Sequence, residues 1–291
     1  MLRYDVLYKL IIKSLDAIPY KGLFYIGKVL ALLLFTLPNK HRRVSEANLK
    51  LVFPHKTSFQ INSILRDSLF HSIMNLLEAG LVWGKKDYKK KQGFIDVENF
   101  SEIKSSLSSH KGVLLFTPHI GNIEIIINFL GQHTDCTIPY TQPKNKYLDK
   151  IITNSRNKSG VKMVDINVSG IKEMLSALNN KKLVAVASDQ VPKKGAGIIS
   201  KFFNSEIYSM SLLPKLQQRT GCVAHLMYCE RKENGRGFVI HFDSKIDLSS
   251  DIQEGVDKMN NEFEKCIMKL PGQYSWEYKK FKRTELDSIY K

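Results

Sequence analysis

Two short runs in the chain contain only apolar residues, Val113–Phe116 (VLLF) and Leu183–Ala187 (LVAVA). Apolar runs of this length are typical of strands buried on both faces of a sheet. Segments with apolar residues at helical spacing lie between and after them, so strands alternate with helices. This alternation predicts an α/β fold with a mixed, largely parallel sheet flanked by helices. Further strands are expected at 137–140, 162–166, 223–228 and 238–242, and helices within 40–92 and at 122–130, 148–158, 170–179, 210–219 and 251–269.

The N-terminal part carries the only membrane-like segment, Leu23–Leu37 (LFYIGKVLALLLFTL), which Lys28 interrupts and Pro38 closes. A full membrane span needs about 20 apolar residues, so this segment is short unless it tilts or its lysines extend to the interface. It suits a membrane-associated helix, or a helix that is buried in the protein or lies on its surface. Basic residues flank both sides, so the positive-inside rule does not orient it, but they suit an anionic membrane face. We expect residues 1–38 to form a membrane-anchor region and residues 39–291 to form the main domain.

The chain is strongly basic, with 44 Lys and Arg against 28 Asp and Glu and a formal net charge of +16. Such an excess attracts anionic partners, namely nucleic acids, acidic lipid headgroups or acidic proteins; a solvated basic surface is the alternative. No helix-turn-helix, zinc-finger or RNA-binding signature is present, so we expect no nucleic-acid partner. The lysine-rich segment Lys85–Gly93 (KKDYKKKQG) is interpreted as a solvated loop.

The four cysteines form no Cys-x-x-Cys pair, and no histidine lies at metal-finger spacing from them. This pattern does not favour zinc, and we expect neither a metal nor a cofactor. Sparse cysteines in a chain of this length are typical of reduced thiols in contact with the cytosolic pool. We also expect no secretory signal, because no short apolar run is followed by a small-x-small cleavage site.

The segment Gly112–Glu124 (GVLLFTPHIGNIE) holds the strongest candidate site. His119 follows a predicted buried strand, and ligands of open α/β sheets gather beyond the carboxyl ends of strands. On one continuous helix, the five steps from His119 to Glu124 would leave the two side chains about 140° apart. If His119 lies in the turn before the helix, Glu124 on the first helical turn can accept a hydrogen bond from one ring nitrogen and leave the other as a base. The alternative is a structural histidine at a strand end.

The segment HIGNIE fits the H-x-x-x-x-[DE] motif of the glycerolipid acyltransferase superfamily. More narrowly, it resembles the late acyltransferases of lipid A biosynthesis, which usually read His-x-Gly-Asn-Trp-Glu. The chain departs from that family at Ile123 in place of Trp, Ser188 in place of Pro and Tyr278 in place of His, which leaves the acyl-chain length and the acceptor open. Four further blocks resemble the family in the expected order: Arg42–Pro54 (RRVSEANLKLVFP), Tyr147–Gly160, Ser188–Asn204 (SDQVPKKGAGIISKFFN) and Gln273–Lys282 (QYSWEYKKFK).

The resemblance implies an enzyme of the bacterial inner membrane, in which residues 39–291 form an acyltransferase catalytic domain facing the cytoplasm. Its donor would be a thioester on acyl carrier protein and its acceptor a phosphorylated glucosamine disaccharide lipid, two anionic partners that suit a basic chain. His119 would take the proton of an acceptor hydroxyl, since no Gly-x-Ser-x-Gly nucleophile is present, and Glu124 would stabilise the imidazolium. The N–H groups of Gly121 and Asn122, at a predicted helix start, are candidate oxyanion donors.

Three more residues are candidate substrate-binding groups. Arg156 corresponds to the helix arginine of the family and suits a phosphate or an oxyanion; the alternative is a surface residue or a structural ion pair. Asp189 and Gln190 follow the second buried strand, where they suit hydrogen bonds to a sugar, positioning of the His119 loop, or loop capping. The tail Trp276–Lys282 interleaves aromatic and basic residues, which suits a membrane interface or RNA stacking.

The alternative function is a related acyltransferase that acts on a lysophospholipid or another glycolipid. Glycerolipid enzymes of that kind usually carry a Glu-Gly-Thr-Arg-like phosphate motif after the histidine block, and the chain has none. The resemblance therefore favours the lipid A branch.

Overall fold

The computed structural model describes residues 4–84 and 93–291 of the chain. Among these residues, seven strands form one sheet and two strands form a separate antiparallel hairpin. The strands are β1 Ile95–Glu98, β2 Val113–Thr117, β3 Cys136–Tyr140, β4 Lys162–Asp165, β5 Leu183–Ala187, β6 Gly197–Phe202, β7 Ser205–Met210, β8 Val223–Arg231 and β9 Phe238–Ile246. The sheet order is β1-β9-β8-β2-β5-β3-β4, and every neighbouring pair is parallel except β8 with β9. The predicted mixed, largely parallel sheet is confirmed.

Helices flank this sheet. They are α1 Tyr4–Ala17, α2 Tyr20–Thr36, α3 Lys40–Val52, α4 Ser58–Leu77, α5 Ala79–Trp83, α6 Phe100–Ser108, α7 Ile123–His133, α8 Lys146–Ser159, α9 Val168–Asn179, α10 Leu212–Thr220 and α11 Ile252–Lys269. Asparagine or aspartate side chains cap the starts of α7, α8, α9 and α11, and left-handed glycines follow the ends of α8 and α10. These caps satisfy backbone groups that have no partner inside a helix, and they explain where the helices begin and end.

The central strand β2 buries both of its faces, as its apolar sequence predicts. Successive side chains of a strand point to opposite faces, so Leu114 and Phe116 join a core with residues of α4, α9 and α11, whereas Val113 and Leu115 join a core with residues of α5, α6 and α7. All four side chains are fully buried. Burial of each large apolar side chain contributes about 1.5–3 kcal/mol, so the strand that precedes His119 is firmly held.

The N-terminal helix α2 packs against α4 through one stripe of small and apolar residues. Gly27 allows this close approach, because a Cβ there would lie 2.6 Å from the sulfur of Met74. The opposite stripe is also apolar yet exposed, with Tyr25 at 66%, Val29 at 61% and Leu32 at 58%. Within the described residues, no single helix has the length and apolarity of a membrane span. The segment Val6–Ala17 and α2 together have the length and composition of a span, but the chain bends by 114° between them.

The expected helices and strands after residue 112 are found with ends shifted by a few residues. The sequence reasoning missed β1, α6 and the hairpin of β6 and β7. Residues Lys85–Gln92 of the predicted lysine-rich loop lie outside the described residues.

Candidate active site

Parallel pairing of β2 with β5 brings two distant loops together at the carboxyl edge of the sheet. The two strands are in register, with Thr117 opposite Ala187. The turn that contains His119 and the loop that contains Asp189 therefore leave the sheet side by side, although they lie 70 residues apart in sequence. This is the edge at which open α/β sheets bind ligands.

His119 and Asp189 form a close pair. The Nδ1 atom of His119 lies 2.5 Å from Oδ1 of Asp189, and the backbone N–H of His119 donates to Oδ2 at 3.1 Å. The aspartate side chain is 4% exposed and the histidine side chain 29% exposed. These contacts match one of the roles predicted for Asp189, namely positioning of the His119 loop.

The pair shifts both pKa values in the directions that an ion pair requires. Burial alone would lower the pKa of His119, but the charge of Asp189 and the hydrogen bond to it outweigh burial and raise that pKa above its ordinary value. Burial alone would raise the pKa of Asp189, but His119 and the neighbouring Lys280 hold it at about 2. Asp189 is therefore ionised at neutral pH, and it favours the protonated imidazole.

The C-terminal tail encloses this aspartate. Lys280 is buried, and its ammonium donates to the backbone carbonyl of Asp189. Burial lowers the pKa of Lys280 to about 8, although the charge of Asp189 opposes that shift. Tyr274 is also buried, and burial and the charge of Asp189 raise the pKa of its phenol well above the ordinary value. Sequence reasoning missed both residues. Tyr274 lies before the segment Trp276–Lys282, and Lys280 lies within it, where the mixed pattern predicts a membrane or RNA interface. Trp276 and Phe281 of that segment are instead completely buried in the core.

The second ring nitrogen of His119 faces outward. With Nδ1 directed to Asp189, the Nε2 atom is the one that can accept a proton. Gln190 lies next to it, with its amide nitrogen 3.3 Å from Nε2. The structure therefore brings together three predicted site residues, His119, Asp189 and Gln190, in the geometry of a base with its orienting carboxylate.

In the turn that contains His119, two backbone N–H groups already donate within the protein. The N–H of Gly121 donates to the carbonyl of Gln273 at 3.0 Å, and the Ile120 N–H donates to Pro118 at 2.9 Å. The Gly121 donor is occupied because a short antiparallel bridge between Ile120 and Tyr274 ties the turn to the C-terminal tail. The prediction of an oxyanion donor is therefore wrong for Gly121, whereas that for the Asn122 N–H stays a prediction.

Gly121 is required for a different reason. Its backbone has φ of 59°, and a Cβ would lie 2.0 Å from the carbonyl oxygen of Cys229. Glycine alone combines this conformation with so close an approach.

Asn122 is a structural residue of the turn rather than an accessible ligand. Its side chain is 5% exposed, caps α7 by accepting from the Glu124 N–H at 3.0 Å, and donates to Glu78 at 2.7 Å. Glu78 in turn pairs with Arg231 at 2.7 Å, and both side chains are fully buried. The buried ion pair thus holds the start of α7 in place.

Glu124 does lie on the first turn of α7, but its carboxylate does not orient His119. It contacts Arg156 instead, with Oε1 2.5 Å from Nη2 and Oε2 3.3 Å from Nε. The predicted hydrogen bond between Glu124 and His119 is wrong, because Asp189 already occupies Nδ1 and the side chain of Glu124 points toward α8. Arg156 forms the structural ion pair that the sequence analysis gives as the alternative to a ligand contact.

The Glu124–Arg156 pair is nearly buried, with side-chain exposures of 17% and 12%. The guanidinium lies over the ring of Tyr140, 4.8 Å from its centre, and the Tyr140 hydroxyl donates to Asp149 at 2.9 Å. Burial and the bond to Asp149 raise the pKa of Tyr140 to about 12, so this phenol is neutral. The cluster flanks the same sheet edge, because Tyr140 ends β3. Within the described part of the chain, no three His, Cys, Asp or Glu side chains are grouped to hold a metal ion.

Residues 1–283 match the family described as bacterial lipid A biosynthesis acyltransferase. Similar curated proteins carry corresponding names. A lipid A biosynthesis palmitoleoyltransferase of Escherichia coli (strain K12) is 22% identical over 267 residues, covering 91% of this chain and 86% of its own length. A lipid A biosynthesis lauroyltransferase of the same strain is 23% identical over 91% of this chain and 87% of its own length. A lipid A biosynthesis acyltransferase of Haemophilus influenzae is 25% identical over 93% and 87% of the two lengths.

Proposed function

The chain belongs to the bacterial lipid A biosynthesis acyltransferases, and on that premise we propose the reaction that it catalyses and the residues that carry it. The enzyme moves a fatty acyl chain from an acyl carrier protein thioester to a hydroxyl group of a phosphorylated glucosamine disaccharide lipid. The observation that carries the mechanism is the pair of His119 with Asp189, 2.5 Å apart at the edge of the sheet.

In the proposed mechanism, Nε2 of His119 takes the proton of the acceptor hydroxyl while the oxygen attacks the thioester carbonyl. Asp189 stabilises the imidazolium that forms and holds the ring by accepting from Nδ1. When the tetrahedral intermediate collapses, the C–S bond breaks, and His119 returns the proton to the departing sulfur. One ester bond replaces one thioester bond, and the base is regenerated.

We assign the oxyanion contact to the side chain of Gln190. Its amide nitrogen lies 3.3 Å from Nε2 of His119, which places an N–H donor beside the position of the attacking oxygen. The backbone N–H groups of Ile120 and Gly121 are already bonded within the protein. A donor of this kind typically contributes about 2.7–4 kcal/mol to transition-state stabilisation.

We assign substrate binding to the Glu124–Arg156 cluster. A guanidinium has five N–H donors, and Glu124 accepts from two groups of Arg156, Nε and Nη2. The remaining donors suit a phosphate oxygen of the acceptor. In this proposal Glu124 holds the arginine in position, which explains a carboxylate in the motif without a contact to His119.

The proposed setting is the cytoplasmic face of the bacterial inner membrane. The exposed apolar stripe of α2 suits insertion into a bilayer surface. A net charge of +16 suits both the acidic carrier protein and an anionic membrane.

An assay with purified enzyme tests the proposal, using acyl carrier protein thioester and the tetra-acylated disaccharide precursor. We expect transfer by the wild type, no measurable transfer by His119→Ala, and normal transfer by His55→Ala, an exposed histidine that serves as a matched control. Undiminished turnover in His119→Ala would contradict the mechanism. Transfer to lysophosphatidic acid but not to the disaccharide would replace the proposed acceptor by the alternative one.

A further inference from the structure

A cavity of about 660 Å³ opens between α2, α4, the turn after β8 and the segment that follows α11. Its lining does not include His119, Asp189, Gln190, Glu124 or Arg156. It is therefore separate from the groups assigned to the reaction.

Three cations from three helices line this cavity: Lys28 of α2, Arg66 of α4 and Lys269 of α11. In the described part of the chain, none of them has a carboxylate oxygen within 4.0 Å. Aromatic faces hold two of them, since Lys28 lies 5.0 Å from the ring centre of Phe24 and Arg66 lies 4.7 Å from that of Phe35. Cation–π contacts position a cation and leave its N–H donors available.

The acidic residues of the lining do not cancel this charge. Asp67 and Glu233 also line the cavity, so the three unpaired cations exceed the carboxylates. The other two basic residues of the lining, Lys232 and the buried Arg231, are neutralised by carboxylates outside it, at 2.5 Å and 2.7 Å respectively. The cavity thus keeps an excess of positive charge and free donors, which are the requirements of an anion site.

An apolar part of the wall belongs to α2 and α4, through Phe24, Ala31, Leu32 and Phe70. Leu32 lies both in this wall and on the exposed apolar stripe of α2, where it is 58% exposed. A ligand with a phosphate at one end and a hydrocarbon chain at the other would match both parts.

We infer that this cavity binds the phosphate of an anionic phospholipid of the bilayer, with the lipid tails lying along the exposed stripe of α2. A bilayer phospholipid is favoured over the acceptor because no residue assigned to the reaction lines the cavity. The site would fix the depth and orientation of the enzyme on the membrane, a role independent of acyl transfer.

Vesicle flotation tests the inference with the double variant Arg66→Gln/Lys269→Gln, which leaves the apolar stripe of α2 intact. Each basic residue near an anionic surface contributes about fivefold to binding, so the variant should bind phosphatidylglycerol vesicles about 25-fold more weakly than wild type. The matched control Lys172→Gln/Lys215→Gln removes the same charge from exposed lysines of α9 and α10 that do not line the cavity. We expect the control to bind nearly as well as wild type, and all three proteins to bind phosphatidylcholine vesicles equally weakly.

Equal weakening in the two double variants would overturn the inference, because binding would then depend on net charge alone. Unchanged flotation of Arg66→Gln/Lys269→Gln would overturn it as well. A raised KM for the disaccharide acceptor in phospholipid-free detergent, with normal flotation, would make the cavity an acceptor subsite instead. Flotation does not depend on turnover, so failure here is distinguishable from failure of the proposed reaction.

Discussion

Replacing Asp189 by Asn removes one charge from the site and changes the shape of the side chain very little. In the wild type, the carboxylate lies 2.5 Å from Nδ1 of His119 and is 4% exposed, so solvent does little to screen the interaction. A hydrogen bond to a charged group contributes roughly 1.5–3 kcal/mol, and one pKa unit corresponds to about 1.36 kcal/mol. The pKa of His119 should therefore fall by about one to two units in Asp189→Asn.

The direction follows from the two opposing effects on His119. The charge of Asp189 raises the pKa of the imidazole, whereas burial lowers it. Burial remains in the variant, so the imidazole loses its proton at a lower pH. The acid limb of the profile of kcat/KM against pH should move down by about one to two pH units. The plateau should fall roughly 10²–10⁴-fold, because an amide neither stabilises the imidazolium nor selects the tautomer that leaves Nε2 as the base.

The measurement is kcat/KM for acyl transfer from pH 5 to 9, with Asp257→Asn as the matched control. Asp257 accepts a hydrogen bond from Ser200 at 2.5 Å and has no contact with His119 among the described residues. The control should keep the wild-type profile. If Asp189→Asn keeps both the plateau and the acid limb of the wild type, the carboxylate does not act on His119 and the reasoning is refuted.

Three further changes test other contacts. Lys280→Met should raise the pKa of His119 and move the acid limb of the kcat/KM profile to higher pH, because the ammonium lowers that pKa. Lys280→Arg should restore the wild-type profile. An acid limb that stays in place in Lys280→Met would contradict the effect of the ammonium on His119. Gly121→Ala should lower the free energy of unfolding in urea by more than about 1–3 kcal/mol, because its Cβ would lie 2.0 Å from a carbonyl oxygen. Gly195 has φ of 85°, and a Cβ there would have no atom within 4 Å, so Gly195→Ala reports the conformational cost alone. Equal losses of unfolding free energy in the two variants would exclude the clash at Gly121. Glu124→Gln should lower the free energy of unfolding in urea by roughly 1–3 kcal/mol, because the guanidinium of Arg156 loses its counter-charge. An unchanged unfolding midpoint would contradict the ion pair.

The sequence predicts the sheet well where burial leaves a simple pattern. The runs in β2 and β5 contain only apolar residues, because both faces of these strands are covered, and such a pattern has few other interpretations. The hairpin of β6 and β7 gives no such signal. Its side chains alternate between buried and more exposed ones. Among the buried ones are Ser200 and Ser209, whose hydroxyls accept hydrogen bonds from the side chain of Asn260 of α11. Polar burial of this kind depends on a partner that is distant in the chain, so local patterning does not reveal it.

The same limit explains the errors in the candidate site. His119 could be identified because a strand end is a local feature. The sequence predicts Glu124 as its partner because Glu124 is near in the chain, whereas the observed partner, Asp189, is brought to His119 by the pairing of two strands. Lys280 was missed because a segment of mixed aromatic and basic residues does not indicate whether its lysines face solvent or a buried carbonyl.

The bridge between Ile120 and Tyr274 has a consequence for the order in which the enzyme becomes competent during its synthesis. The turn of His119 rests on the tail, through Gly121 with Gln273 at 3.0 Å and through the carbonyl of His119 with the Ser275 N–H at 3.1 Å. A ribosome makes these tail residues long after it has made the histidine. Contacts so distant in sequence form slowly in folding. Under the proposed mechanism, a nascent chain therefore contains the proposed base early but gains the support for its turn only near the end of translation, and we expect no acyl transfer before the tail has folded.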